Sequence, residues 1–488
     1  MEPNWDALSA KLEQMAVEFK KRDQWALISN HDADGLSSAA IIATVMNRLG
    51  MSYQTLILKQ LYPEHVEQIK AMGPNYFFCD FGSGQLNFLR ETFGENFFVL
   101  DHHQPLPVLH ELHCNPLLFG FNGGTELSAA GLCYLFSKTV DPKNQDLAYL
   151  GVVGAMGDMQ DGEGKLIGLN TKVADDGIQA GVLDRKIDLR LYGRISRPLT
   201  QFLSFATSPV LPQLTANEPN CRSFLENLKI PLQDGAHYRS YEELSSEEKK
   251  RLSSALILHL YSHDVSEWKI KELIGEVYSI SIEPTDSPLR DAKEFGTVLN
   301  ATGRWKKSDI GLAVAMGNRG DAYHTALAML TNHRRELRNG IEYMQQKGVE
   351  EHKWFYFFDA ENTIPDSIIG IVAGMMYGSG SIGFEKAIIA FSRYEDGSIK
   401  ASGRATKELV RRGLNLGKAF RVICNELGEG NEGGGHAIAA GVKIEAKNKE
   451  LFLALLDDQI AKQLTGLGAQ SSSPQGLKTT GNIIGSDE

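Results

Sequence analysis

Four short segments of the chain concentrate the side chains that proteins use to bind metal ions. Carboxylates and imidazoles gathered in one cleft repel each other or lose their charge unless cations compensate them. A mixed set of Asp and His suits Mn²⁺, with Mg²⁺ or Co²⁺ as alternatives. Two such ions about 3.5–4 Å apart form a device that hydrolyses phosphate esters. The segments are Asn30-His31-Asp32-Ala33-Asp34, Cys79-Asp80, Asp101-His102-His103 and Gly157-Asp158.

Three of these segments directly follow short apolar runs that are typical of buried strands. The runs are Trp25–Ser29, Tyr76–Cys79 and Phe97–Leu100, and stretches with helical spacing such as Leu36–Leu49 and Glu64–Met72 separate them. Strands that alternate with helices predict βαβ units and a mostly parallel sheet. Because ligands bind at the carboxyl ends of the strands in open α/β sheets, we expect the segments to meet at that edge.

Each segment taken alone has a simpler interpretation. Asp80 could be a turn former after a strand, His102 and His103 an ordinary partly buried pair, and Asp158 a residue at a helix end. The stretch His31–Gly35 lacks the spacing and the final Glu of a calcium-binding EF-hand loop. Four such segments at successive element ends favour a shared metal site. Further along, Thr125–Ser137 and Asp146–Met156 are predicted helices, and the Thr125 hydroxyl is expected to cap the first.

Composition narrows the class of protein. The chain has 488 residues, of which 42% are hydrophobic and 23% charged, with a net charge of −11 at pH 7. This excludes a basic-tail nucleic-acid binder, but an enzyme acting on nucleic acid remains, because metal ions can hold phosphate on an acidic protein. The five Cys contain no CxxC pair, which indicates reduced thiols in a cytoplasmic protein. No signal peptide or membrane span is expected.

The distribution of residue types along the chain predicts four regions. Residues 1–205 form an α/β catalytic domain with a mostly parallel sheet. Residues 206–345 form a linker, a helical insertion and a long basic connecting helix over Asp321–Met344. Residues 346–465 form a second α/β domain, and residues 466–488, rich in Ser, Gly and Gln, form a disordered tail. We therefore expect a protein with two α/β lobes joined by a helical middle region.

A glycine-rich segment in the second predicted domain is a candidate phosphate-binding site. Glycines allow backbone N–H groups to approach a phosphate and to form an anion-binding nest. His436 at the end of this segment, Gly428–Gly435, adds a hydrogen-bond donor or a positive charge. The alternative interpretation is a flexible loop that closes a hairpin.

The four metal-binding segments resemble, in order and spacing, the four motifs of the DHH phosphoesterases. The segments Ser402–Ala405 (SGRA) and Gly433–Gly441 (GGGHAIAAG) resemble the DHHA1 domain that accompanies them. Leu299–Arg304 (LNATGR) is similar to the LNAxGR segment of RecJ exonucleases and precedes the long basic helix. The overall plan resembles the archaeal RecJ-like nucleases, some of which associate with the GINS replication complex.

The resemblance implies a role for each matching residue. Asp32 and Asp34 would each bind one of two divalent metal ions, Asp80 would bridge them, and His102 and Asp158 would complete the second site. Asp101 would orient a histidine, and His103 would contact the scissile phosphate or protonate the leaving oxygen. Asn30 stands where the family often has His or Asp, which predicts weaker binding of the first metal, and His31 is the neighbouring catalytic candidate that could compensate. The substrate-binding residues would be Asn300, Arg304, Ser402, Arg404, Gly433, Gly434, Gly435 and His436.

The function implied is a metal-dependent exonuclease that degrades single-stranded DNA, or RNA as a second substrate, to mononucleotides. The implied polarity on DNA is 5′ to 3′, and the implied setting is DNA repair and replication, with the GINS and replicative helicase complex as candidate partners and no membrane. One alternative is a hydrolase of short oligonucleotides or cyclic dinucleotides, against which the LNATGR segment speaks. The other is a replisome scaffold with weak or no nuclease activity, against which the full set of candidate ligands speaks.

Overall fold

The computed structural model describes residues 2–206, 208–215, 217–377, 382–428 and 431–465. The chain forms two compact units, Met1–Arg335 and Glu336–Glu488. The structure thus groups residues 206–335 with the N-terminal region, whereas the sequence predicted a separate region over 206–345. The predicted tail, residues 466–488, lies outside the described residues. No helix of the described ranges is long and apolar enough to cross a membrane.

Helices and strands alternate from Gln24 to Leu100, as predicted, and helices predominate in the rest of the first unit. The elements are α1 Trp5–Phe19, β1 Gln24–Asn30, α2 Ala33–Arg48, β2 Ser52–Leu58, α3 Val66–Met72, β3 Asn75–Cys79, α4 Leu86–Phe93, β4 Phe97–Leu100, β5 His113–Cys114, α5 Ala129–Val140, α6 Ala148–Gly157, α7 Leu169–Gln179, β6 Leu183–Leu189, α8 Leu199–Ser204, α9 Glu218–Asn227, β7 Gln233–Asp234, β8 His237–Tyr238, α10 Ser246–Ser262, α11 Glu267–Lys271, β9 Ile274–Ile280, α12 Ala292–Arg304, α13 Ser308–Ala315 and α14 Asp321–Lys347.

The sheet that carries the candidate metal segments has the strand order β2-β1-β3-β4-β5 among the described residues. All its pairs are parallel, which confirms the predicted parallel sheet. In the register, Ser29 lies beside Cys79, and Cys79 lies beside Leu100. The segments that follow β1, β3 and β4 therefore leave neighbouring strands at the same edge.

Helices α2, α5 and α6 pack closely on one another because small residues line their contacts. A Cβ at Gly154 would meet Asp34 Oδ1 at 2.3 Å and the Ala130 Cβ at 2.4 Å. The prediction that Thr125 caps α5 is wrong. The helix begins three residues further on than a Thr125 cap would place it, and the Ser128 side chain accepts a hydrogen bond from the Gly131 N–H at 3.0 Å.

The middle region is more ordered than a linker followed by a small helical segment. Helices α8, α9 and α10 enclose an apolar core in which Phe202 and Tyr241 stack. Helix α12 contains the whole LNATGR segment, and α13 separates it from the long helix α14. The LNATGR segment is therefore the end of helix α12 and does not lead directly into the long basic helix α14.

The elements of the second unit are β10 Glu350–Glu351, β11 Phe355–Asp359, α15 Ile369–Met376, β12 Ala387–Arg393, β13 Ile399–Arg404, α16 Lys407–Arg411, α17 Leu416–Leu427, β14 Glu432–Gly435, β15 Ala439–Ile444 and α18 Lys449–Thr465. The strands form a mixed sheet with the order β10-β11-β12-β13-β15-β14 among the described residues. The glycine-rich segment was expected to be a loop, but Glu432–Gly435 is a strand at the edge of this sheet, paired antiparallel with β15.

Candidate metal centre

The ends of β3 and β4 place Asp80 and Asp101 next to each other. The Asp80 N–H donates to the Leu100 carbonyl at 2.9 Å, which extends the strand pairing by one residue. The backbone of Asp80 then turns sharply, with φ 61°. This left-handed conformation is costly for a residue other than glycine and is found where function requires it.

His102 is the centre of the carboxylate cluster. Its Nε2 lies 3.2 Å from Asp80 Oδ1, 3.5 Å from Asp158 Oδ2 and 3.7 Å from Asp34 Oδ2. Its Nδ1 donates to the Gly123 carbonyl at 2.7 Å, which turns Nε2 toward the carboxylates. Two groups of side chains that could hold a metal ion share this residue. One consists of Asp80, His102 and His103, and the other of Asp34, His102 and Asp158.

The donor atoms of this cluster fit a divalent cation. Asp80 Oδ1 and His102 Nε2 are buried and have no hydrogen-bond partner. Buried polar atoms are nearly always paired, so two such orphans in one cleft mark the place of a ligand. Carboxylate oxygen and imidazole nitrogen are donors that Mn²⁺ and Mg²⁺ accept.

The raised pKa values of Asp80 and Asp158 also indicate that this cluster lacks a compensating positive charge. Burial, with the charges of Asp32 and Asp34, raises the pKa of Asp80 well above its ordinary value. Burial, with the charges of Asp34 and Asp32, raises the pKa of Asp158 to about 8. Without a cation, these acids therefore repel each other in a medium that solvates them poorly.

Asp34 is held by the first residues of α5. Its two carboxylate oxygens accept hydrogen bonds from the backbone N–H groups of Ala129 at 2.8 Å and Ala130 at 2.9 Å. These N–H groups lie at the positive end of the helix and have no partner within it. The fully buried carboxylate thereby gains compensation on one side while remaining near His102. Sequence analysis missed this contact, although the small residues after Ser128 allow the close approach.

Helix α12 supports the loop that carries Asp32 and Asp34. Asp32 caps α2, since its Oδ1 accepts from the Gly35 N–H at 3.0 Å. Asn300 Oδ1 accepts from the Ala33 N–H at 2.9 Å, and a Cβ at Gly303 would lie only 2.0 Å from the His31 carbonyl oxygen. Asn300 and Gly303 of the LNATGR segment therefore contact the backbone on both sides of Asp32.

Arg304, the last residue of the segment, is partly buried. Its Nη1 lies 3.2 Å from His333 Nε2. The negative charge of Asp32 attracts the guanidinium. The guanidinium therefore stands close to the metal-binding loop, and its described partner, His333, is neutral because burial and two arginines lower the pKa of His333 to about 4.

Asn30 and His31 bind to each other. Asn30 Oδ1 lies 2.7 Å from the His31 backbone N and 2.9 Å from His31 Nδ1, while Asn30 Nδ2 lies 3.5 Å from Asp32 Oδ2. Burial lowers the pKa of His31. The weaker first metal site that Asn30 predicts stays a prediction.

Asp101 orients His103 rather than the central His102. Asp101 Oδ1 lies 2.8 Å from His103 Nδ1 and accepts from the backbone N–H groups of His102 and His103 at 2.8 and 3.1 Å. Burial opposes ionisation of Asp101, but its bond to His103 holds its pKa below the ordinary value. Burial likewise opposes the charge of His103, but Asp101 raises the pKa of His103 to about 9. The half-exposed His103 is therefore a cation at neutral pH.

The remaining candidate residues share one sheet in the second unit. Ser402 of β13 and Gly434 of β14 both pair with Gly441 of the strand between them. Arg404 Nη1 donates to the Gly403 carbonyl at 2.8 Å, and its guanidinium packs where a Cβ at Gly370 would lie. His436 is exposed. Gly433, Gly434 and Gly435 thus form an open strand edge rather than a closed nest.

Comparisons with known proteins agree with this geometry. Residues 191–274 match the DHH-CID domain model, and residues 355–462 match the DHHA1 domain model. An uncharacterized protein from Methanocaldococcus jannaschii is 28% identical over 448 residues, which cover 90% of this chain and 93% of that protein.

Three solved structures share the fold. RecJ from Thermus thermophilus in complex with Mn²⁺ has a TM-score of 0.57 at 16% identity, and the match covers 93% of this chain but only 55% of that one. A second exonuclease RecJ, bound to manganese, has a TM-score of 0.56 at 16% identity over 94% and 97% of the two chains. CDC45 from Entamoeba histolytica has a TM-score of 0.64 at 13% identity over 93% and 99%.

The fold and the two domain models define the class of protein, and the predicted resemblance is confirmed. Two segments of the chain thus match the DHH-CID and DHHA1 domain models, and the chain shares the fold of RecJ. The two RecJ structures hold manganese, and the ligand groups of this chain could hold a divalent cation.

Proposed function

We propose that this protein is a metal-dependent exonuclease that removes mononucleotides from single-stranded DNA in the 5′ to 3′ direction, with RNA as a second substrate. The observation that carries the proposal is the cluster of Asp34, Asp80 and Asp158 around the Nε2 of His102. A cluster with this many carboxylates suits two divalent ions, for which Mn²⁺ is the proposed species. Asp32, Asp34, Asp80, His102 and Asp158 would hold them.

The chain's own residues account for proton transfer and charge. When bound, the divalent ions activate water and neutralise charge on the phosphate. His103 is cationic, and half of its side chain is exposed beside Asp80. With Nδ1 hydrogen-bonded to Asp101, it can donate the Nε2 proton to the leaving oxygen. Arg304 adds a partly buried positive charge for a phosphate of the substrate, and Asn300 maintains the turn that holds Asp32.

The second unit is proposed to bind the nucleic acid. Ser402, Arg404 and the glycines of β14 offer a hydroxyl, a cation and open backbone edges on one sheet. The exposed His436 adds a further donor. These groups suit a phosphate and a sugar, because hydroxyl, guanidinium and backbone N–H groups are common donors to phosphate and sugar oxygens.

A second candidate function is a scaffold in a replicative helicase assembly that includes GINS. The observation that favours it is the fold similarity to CDC45 over nearly the whole of both chains. The two functions are compatible, since scaffolding does not require the ligands at the metal centre. DNA repair and replication are the proposed settings for both.

The first experiment is a gel assay of the full chain with Mn²⁺, using single-stranded DNA and RNA labelled at one end or the other. We expect immediate release of a 5′-labelled mononucleotide by the wild type and none by Asp34→Ala. Cleavage of a dinucleotide alone would instead identify a hydrolase of short oligonucleotides. If no substrate is cut with Mn²⁺, Mg²⁺ or Co²⁺, while the chain still binds GINS, the scaffold function replaces the nuclease.

A further inference from the structure

Three buried polar residues lie behind the Asp101-His102-His103 turn. Ser83 follows β3, and His113 and Asn115 lie at and just after β5, so different strands bring them together. Their relative exposures are 0%, 2% and 0%. Ser83 Oγ lies 2.8 Å from His113 Nε2, and Asn115 Nδ2 lies 2.9 Å from Ser83 Oγ. The metal centre and the proposed reaction leave all three without a role.

The hydrogen bonds of this network run in one direction. Burial lowers the pKa of His113 to about 4, so its ring is neutral. The Ser83 oxygen accepts one N–H of the Asn115 amide, which leaves the Ser83 hydroxyl proton to bond Nε2 of His113. The second N–H of that amide donates to the His103 carbonyl at 2.8 Å. Both N–H groups of Asn115 and the Ser83 hydroxyl thus have acceptors, and buried networks satisfied in this way are rigid.

The network reaches His103 at two points. Asn115 holds its backbone carbonyl, as described. The Ser83 N–H donates to Asp101 Oδ2 at 2.9 Å, while the other oxygen of Asp101 binds His103 Nδ1 at 2.8 Å. Ser83 therefore fixes one side of the carboxylate that orients the imidazole on its other side. Half of the His103 side chain is exposed, so few packing contacts hold it. The hydrogen bonds to Asp101 and Asn115 therefore largely determine where it lies.

We propose that Ser83, His113 and Asn115 are positioning residues that hold the His103 imidazole at the metal cleft through Asp101 and the His103 carbonyl. The proposal rests on the proposed function, because it assigns their effect to a reaction in which His103 acts. Partners behind an active-site group commonly contribute about 10- to 100-fold to activity although they touch no substrate. A small displacement of the reacting group is enough to produce such a loss.

The test is a double-mutant cycle on single-stranded DNA with Mn²⁺. In the wild-type background, His113→Leu removes the acceptor for Ser83, and we expect kcat to fall about 10-fold or more with KM changed less than about twofold. His113→Gln keeps an acceptor and is expected to restore most of kcat. In the His103→Ala background, His113→Leu is expected to lower kcat by less than about twofold, because the group it positions is absent. An equal loss in both backgrounds would overturn the proposal.

A matched control separates positioning from general stability. His110 is also buried, and its Nε2 donates to the Phe97 carbonyl at 2.9 Å, so His110→Leu removes a buried histidine hydrogen bond outside the network. We expect its kcat to stay near the wild-type value. A loss equal to that of His113→Leu would show that any buried histidine of this region affects activity, and the proposal would fail.

Amide hydrogen exchange tests the positioning without reference to activity. Asn115→Asp keeps the acceptor for the Leu117 N–H but loses both donors, so exchange at residues 101–103 should become at least about tenfold faster than in the wild type. Unchanged exchange would contradict the network's role. If the wild type cleaves no substrate while this exchange responds, the proposed function fails and the positioning of the turn stands.

Discussion

Asp80 and Asp161 are both buried acids, but their surroundings have opposite effects on stability. Asp80 lies among like charges, which raise its pKa. Asp161 lies 2.5 Å from Arg190 and 2.8 Å from Lys293, and although burial opposes its ionisation these cations hold its pKa below the ordinary value. A buried acid without a cation destabilises the fold, whereas breaking a buried ion pair costs about 3–5 kcal/mol.

We therefore predict opposite results for two matched substitutions. Asp80→Asn should raise the unfolding free energy of the metal-free protein by about 1 kcal/mol or more, because it removes repulsion in the cluster. It should also abolish stabilisation by Mn²⁺ and lower activity by about 10³-fold, since metal ions contribute several kcal/mol to such reactions. Asp161→Asn should lower the unfolding free energy. Urea denaturation with and without Mn²⁺ measures both, and a less stable metal-free Asp80→Asn protein would contradict the interpretation.

His333 gives a pH dependence whose sign can be worked out. Burial, with Arg304 and Arg334, lowers its pKa to about 4 in the folded chain, against about 6.5 when unfolded. Between these values the unfolded chain binds more protons, so this residue's stabilisation is complete above pH 6.5 and is lost as the pH falls toward 4.

Replacing His333 by Gln removes this titration and keeps an acceptor for Arg304. The wild type should therefore lose about 2 kcal/mol more unfolding free energy than His333→Gln between pH 7 and pH 5. Urea denaturation of both proteins at the two pH values is the measurement. Parallel losses in the two proteins would show that His333 titrates normally in the folded state.

At the scale of elements, the approach of α6 to α2 and α5 depends on a missing side chain. A Cβ at Gly154 would overlap Asp34 and Ala130, while a Cβ at Gly162 would meet nothing closer than 3.9 Å. Gly154→Ala should therefore destabilise the fold by about 1–3 kcal/mol and weaken Mn²⁺ binding, because Asp34 must move. Gly162→Ala should change neither quantity measurably. Thermal unfolding with a Mn²⁺ titration compares the two, and equal behaviour would refute the packing argument.

At the scale of the whole molecule, the candidate ligands all belong to the first unit. A ligand stabilises the cooperative unit that contains its binding groups. Adding Mn²⁺ to the full chain should therefore slow amide exchange at residues 30–35, 79–82, 101–103 and 156–158. Residues 355–465 should exchange at the same rate with and without Mn²⁺. Hydrogen exchange followed by mass spectrometry tests this, and protection of the second unit would show that the metal stabilises both.

Much of the fold could be predicted from the sequence because the relevant patterns are local. Apolar runs such as Phe97–Leu100 and helical spacing such as that of Leu36–Leu49 show burial within a few residues of chain. Because those runs pair in parallel, the candidate metal ligands that follow them lie at one edge of the sheet. Helix starts were less certain, as the cap at Ser128 rather than Thr125 shows, because several residues of the same stretch can cap a helix.

The middle region and the glycine-rich segment could not be assigned in this way. Residues 206–250 contain Pro and charged stretches that are typical of linkers, yet they supply part of an apolar core with distant leucines and aromatics. Gly433–Gly435 has no side chains to indicate a strand, and its extended form depends on pairing with β15. In both cases the deciding contacts are with residues remote in sequence.

The sequence by itself determined the ligand types, the strand ends that carry them and the α/β class, because residue identity and periodicity contain this information. Only the tertiary structure decided which atoms meet. It placed Asp34 on the first N–H groups of α5, Asn300 on the first residue of α2, and one imidazole, that of His102, among Asp34, Asp80 and Asp158. These are contacts between segments far apart along the chain, and they depend on how helices pack on the sheet rather than on any local pattern.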